Sequence, residues 1–357
     1  MSVHRISLFI TAAAAIAMAM PVHAQGLKQV GTIPIPGTPV NQFGVISVDQ
    51  TTGLGYLADK DSKAVVVFDT KADKYVSRIA GFVGLTKNGD ASGPNGVLVV
   101  KGGSELWVSD GDSTIKVVDL KTGQIASTIA TGGKVRANAM AYDPNGGIVI
   151  VANSNDETPF LSLISTAPGN KILAKIPVAE SAENLERSAY HVPTGMFYTA
   201  IPVLVREKTK GILAQIDAKN GKLVKLHELD GCHPHSLQIV SDATIFLGCS
   251  SAHGASPKPG GDLAIFDIAA GKVEGRGADL GGNGGSDLNP KRGLYYHSTT
   301  AASLVVIDTK TRQLVQKIPT SPGARSVGVS LMNDRVYLAT TAKDGPCGGC
   351  IVVYAPE

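Results

Sequence analysis

The sequence predicts an all-β fold: a seven-bladed β-propeller of four-stranded blades, its ring closed by the N-terminal strand. Three observations carry the expectation. Short runs rich in Val, Ile, Leu and Tyr alternate with Gly, Asp, Asn and Pro, and no long amphipathic helical period interrupts them. A strand pattern recurs every 41 to 52 residues, the length that a four-stranded blade needs. The last unit has only three clear strands, and one spare strand stands ahead of the first unit. Apolar residues make up 43% of the 357, enough to exclude global disorder.

Residues 1–24, MSVHRISLFITAAAAIAMAMPVHA, read as a secretory signal. His4 and Arg5 form a short basic lead, an apolar run covers 6–20, and Val22 and Ala24 supply the small residues a signal peptidase reads. Cleavage is expected before Gln25, which places a single propeller domain over 25–357 in the periplasm or outside the cell. The apolar run is shorter than a membrane span, and no later stretch approaches that length, so the mature chain is expected to have no membrane span. No cysteine lies near the cleavage point to take a lipid anchor. A formal charge of +3 without a basic block argues against nucleic acid or a strongly anionic membrane as a partner.

The strand at 27–33, LKQVGTI, is the expected closing strand. Seven units follow, at 36–81, 82–133, 134–180, 181–232, 233–282, 283–323 and 324–357. The first carries GYLAD at 55–59 and KAVVVFDT at 63–70; the second repeats this as LWVSD at 106–110 and IKVVDL at 115–120. The sixth has LYYHS at 294–298 and LVVIDT at 304–309, and the last has VYLAT at 336–340 and IVVY at 351–354. Outer strands are expected at 75–80, 125–130, 172–178, 223–229 and 314–318. Asp69, Asp119, Asp217 and Asp308 open the turns before them, where a carboxylate can bond backbone N–H groups. Those acids are read as structural.

The repeated VxVxDxxTxxxxxxI units resemble the YVTN-type, or YncE-like, seven-bladed propeller repeats over essentially the whole mature chain. The resemblance implies an exported propeller. Relatives include exported binding proteins and the haem-carrying domain of some nitrite reductases, and lactonase-like and lyase-like propellers share the architecture. Cys347 and Cys350 are followed by Ile351, so the Cys-x-x-Cys-His attachment motif of a covalent haem is missing. All four cysteines lie beyond the signal, which invites disulfides. Cys232 and Cys249 fall at the same end of one hairpin and are expected to pair. Cys347 and Cys350 are expected to form a local staple, with a redox dithiol or half a metal site as the alternatives.

In a propeller the first strand begins on the face where the second strand ends, so both sets of positions should meet at the channel mouth. Strand starts supply Arg136, Arg187, His233, His235, Asp287 and Arg325; strand ends supply Asp110, Asp156, His253 and His297. His233 and His235, two apart on a strand, should face the same side. With Glu186 and Asp287 they could hold a divalent metal ion. His297 could move a proton, while Arg187 orients an anionic substrate. Arg136, Arg187 and Arg325, with Asp110, Asp156 and His253, are the candidate ligand-binding residues, the guanidiniums favouring a carboxylate or another anion. The expected function is an exported binding or scaffold protein that recognises a small molecule, a metal or a protein partner at the channel mouth. The alternative is a metal-dependent lactonase-like or lyase-like enzyme acting on an oxygen-rich small molecule. Noncovalent haem binding ranks third.

Overall fold

The computed structural model describes residues 26–182, 184–251, 261–282, 284–299 and 301–357. The expected signal at 1–24 lies outside them. The chain forms seven four-stranded antiparallel sheets. Six are built from consecutive strands. The first blade runs Phe43–Val48, Leu54–Asp59, Ala64–Asp69 and Lys74–Ala80. The seventh combines Ser326–Ser330, Arg335–Thr340 and Cys350–Pro356 with Leu27–Pro34 from the opposite end of the chain. Gln316 of blade six fixes that closing strand further, accepting the Leu27 N–H at 2.7 Å and donating to its carbonyl at 3.0 Å. Closure removes the two sheet faces that an open stack would leave bare.

The core is divided rather than central. Seven apolar clusters are formed by the described residues, one at each seam between neighbouring blades. Between blades one and two, Tyr56, Val65 and Val67 meet Leu106, Val108 and Val118. This explains the burial patterns. The third strand of blade one, AVVVFD, is buried on both faces because a blade lies on each side of it, whereas the outer strand KYVSRIA is largely exposed. Six blades carry a register shift at the same point of the outer strand pair, such as Val67/Phe68 and Val117/Val118. Such bulges increase local twist, which suits a radial blade.

The turn carboxylates behave as expected. Asp119 Oδ1 accepts the N–H groups of Lys121 and Thr122 at 2.8 and 2.9 Å, and Asp308 Oδ1 those of Lys310 and Thr311 at 3.0 and 2.7 Å. At the last turn position Gly123 takes φ 69°, but Asp73 and Arg312 adopt the same left-handed conformation without being glycine. Both expected disulfides are present, Cys232–Cys249 and Cys347–Cys350. No helix among the described residues is long and apolar enough to cross a membrane.

Candidate functional site: the cationic channel mouth

The seven inner strands touch one another in a closed ring, ending with Ser326–Ser330 against Phe43–Val48. Their starts surround a cavity of about 310 Å³, to which every blade contributes. Phe43, Val45 and Lys60 come from blade one, Asn95 from blade two and Arg136 from blade three. Glu186 and Arg187 come from blade four, His235 from blade five, Gly284 and Gly285 from blade six, and Arg325 from blade seven. The rim is crowded enough to require glycine. A Cβ on Gly44 would stand 1.9 Å from the Asn95 carbonyl oxygen, and one on Gly284 would stand 1.8 Å from that of Ser298. The bare backbone allows the Val45 N–H to bond the Asn95 carbonyl of the next blade at 2.9 Å.

Four basic side chains line this space: Lys60, Arg136, Arg187 and Arg325. None of them forms a salt bridge or donates a side-chain hydrogen bond among the described residues, and the buried Nε of Arg136 has no partner there. Arg325 stacks its guanidinium 5.9 Å from the Phe43 ring centre, a contact that holds it without neutralising it. Burial, then the fields of Arg136 and Arg325, pulls the Lys60 ammonium down to about 8. Burial also lowers the Arg187 pKa, opposed by Glu186 and Asp287 and reinforced by Arg325. Both shifts come mainly from burial; Lys60 also feels two like charges, whereas Arg187 feels two carboxylates ahead of Arg325.

The carboxylates are fewer. Glu186 Oε1 lies 3.7 Å from His235 Nδ1, an ion pair only when the imidazole is protonated. Asp287 lies outside the mouth lining, in a second cavity of about 250 Å³ that Arg187 also lines. Its oxygens accept the Leu288 N–H at 2.8 Å and, across the seam, the Val329 N–H at 2.7 Å. Burial raises its pKa to about 6, against those two hydrogen bonds and the Arg187 field.

Several residues expected at the mouth have other tasks. His297 is fully buried between blades five and six. Its Nε2–H donates to the Gly282 carbonyl at 3.1 Å, leaving Nδ1 to accept from the Ser236 and Tyr295 hydroxyls, each at 3.3 Å. Burial pulls its pKa down to about 4. Both nitrogens are occupied, which corrects the expectation of a proton-moving base at the mouth. His233 is a second correction. A register shift between Pro234 and Ser236 breaks the two-residue alternation at His235. His235 therefore reaches the mouth, while His233 is buried and its Nε2–H donates to the Lys208 carbonyl at 2.7 Å. The set His233, His235, Glu186 and Asp287 does not assemble. Among the described residues no three His, Cys, Asp or Glu side chains gather as a metal site. The residues do not fit the divalent metal that the lactonase-like alternative requires.

Asp110 is spent within its blade: it bonds the Gly111 N–H at 2.8 Å and the Val83 N–H at 3.1 Å, and forms an ion pair with Lys116. Asp156 accepts the Lys134 N–H at 2.8 Å and is not part of the mouth lining. His253 lies outside the described residues. The residue that sequence reasoning missed is Lys60. It follows the second strand of blade one, where blade two carries Asp110 and other blades carry Ser154, Pro202 and Thr341. A basic residue at a position elsewhere acidic or uncharged was the available signal.

Comparison with solved structures supports the ring and nothing finer. A chain of the mitotic checkpoint complex superposes with a TM-score of 0.70 at 10% identity, covering 98% of this chain and 99% of that one. Kuenenia stuttgartiensis hydrazine synthase gives 0.69 at 16% identity, covering 89% of this chain and 98% of that one. No protein-family model and no curated protein matches the chain.

Proposed function

We propose that this chain is an exported binding protein that captures a small organic anion at its cationic channel mouth. One observation carries the reading: Lys60, Arg136, Arg187 and Arg325 line one cavity without a salt bridge among the described residues. Holding like charges together, partly out of water, costs stability unless something compensates them. A bound anion would supply that compensation, and guanidinium forks suit carboxylates and phosphates. The YVTN-type resemblance and the signal at 1–24 support export and agree with a binding role. The reading requires no metal and assigns no reaction.

Titration calorimetry with citrate tests it. Saturable binding that weakens several-fold between low salt and 0.5 M NaCl is expected, since screening reaches a partly open mouth. Heat that is absent, or indifferent to salt, would reject anion capture. Export is checked separately by N-terminal sequencing of protein secreted from full-length chain, with Gln25 as the expected first residue.

A further inference from the structure

We infer that the captured anion is a short dicarboxylate, with one carboxylate on the Lys60 and Arg325 side of the mouth and the other on the Arg136 and Arg187 side. The inference rests on the anion-capture reading and narrows it. Its first basis is charge. Four cations line the mouth against Glu186, and Asp287 beneath adds one further carboxylate, so two positive charges remain uncompensated when Asp287 is ionised. A dianion neutralises them.

The second basis is arrangement. Arg325 and Lys60 enter from the neighbouring blades seven and one, and Arg136 and Arg187 from the neighbouring blades three and four. The cations therefore reach the cavity from two separate arcs of the ring, which suits two carboxylates better than one compact group. The third basis is the rest of the lining. Phe43, Val45 and Ala139 add apolar surface that a hydrocarbon spacer can cover, in a cavity of about 310 Å³, a size suited to a small ligand.

Calorimetric titration in a cationic buffer provides the test, with malonate, succinate, glutarate and adipate set against butyrate and inorganic phosphate. The best dicarboxylate should bind at least about 10-fold more tightly than butyrate. Arg136→Met/Arg187→Met should erase that advantage and leave butyrate within about 2-fold. At pH 8 binding should take up protons, because a carboxylate beside Lys60 restores its ammonium. The same titration in two buffers of different ionisation heat reads this uptake. Should the double variant fail to fold, Lys60→Gln serves instead and should abolish the uptake.

Equal affinity for dicarboxylates and butyrate would overturn the two-ended site, as would phosphate binding more tightly than every dicarboxylate. Both results leave anion capture standing. Absence of proton uptake would overturn the placement at Lys60. Failure of every anion to bind would sink the capture reading itself.

Discussion

The channel mouth and the seam between blades five and six both collect ionisable side chains, yet they treat them in opposite ways. At the seam, His297, Tyr295 and Ser236 satisfy one another and the Gly282 carbonyl, and burial holds the imidazole and the phenol neutral. At the mouth, four cations face one carboxylate and lack salt-bridge partners among the described residues. The difference that matters is satisfaction: a polar group whose partners lie within the chain serves the fold, whereas a charge left without one is poised for something from outside.

The comparison breaks most visibly at the seam. His297→Ala should cost about 2–4 kcal/mol in urea unfolding, because it opens a cavity and removes both the acceptor shared by the Ser236 and Tyr295 hydroxyls and the donor to the Gly282 carbonyl. Citrate affinity should be unchanged. A variant that retains stability but loses citrate would reverse the assignment of the two regions.

At the mouth the expected effect is on binding. Arg187→Met should weaken citrate about 30- to 100-fold, on the order of 2–3 kcal/mol for a lost charge-assisted contact. Its ligand-free stability should stay close to that of the parent, since the burial cost of the guanidinium is removed along with its attraction to Glu186 and Asp287. Marked destabilisation, with affinity retained, would make Arg187 a structural strut.

The pH dependence sharpens the contrast. His297 is held near 4, below its ordinary value of 6.5, so its stabilising contribution is complete above about 6.5 and is lost as pH falls toward 4. Asp287 is raised to about 6 from 3.8, so stability rises as pH falls through that window. The two oppose each other, and the parent protein should show a shallow slope between pH 4 and 6. Asp287→Asn should steepen the loss toward acid. His297→Ala should turn the slope so that stability rises toward acid. Denaturant melts at pH 4, 5 and 6 read both.

The smallest expected effect comes from salt alone. Raising NaCl from 20 to 200 mM should shift ligand-free stability by less than about 0.5 kcal/mol, because the seam is dry and the mouth carries only a few partly solvated charges.

Blade number, the closing strand and both cysteine pairings were legible in the sequence because each follows from something periodic or local. Runs such as AVVVFD and LVVIDT repeat since every third strand is buried between two neighbouring blades. Arg136, Arg187 and Arg325 were legible because each lies on the entry to an inner strand, directly before it for Arg187 and Arg325 and four residues before it for Arg136, and the ring brings those entries together. What failed was alternation. The shift at His235 sends His233 away from the channel, and no residue type announces that bulge. Second-strand ends were also misread. Asp110 is absent from the mouth lining, and Lys116 engages it within its blade. Lys60, one residue beyond such an end, reaches the mouth.

The central claim is that the mouth cations are kept for a ligand and not for the ring. Citrate-dependent thermal melting of the parent, beside Lys60→Gln/Arg136→Met/Arg187→Met/Arg325→Met, tests it most directly. The account predicts that the parent's melting temperature climbs with citrate while the quadruple variant stays flat, starting at least as high without ligand. Equal citrate shifts in both proteins, or a variant that melts well below the parent before any citrate is added, would contradict it.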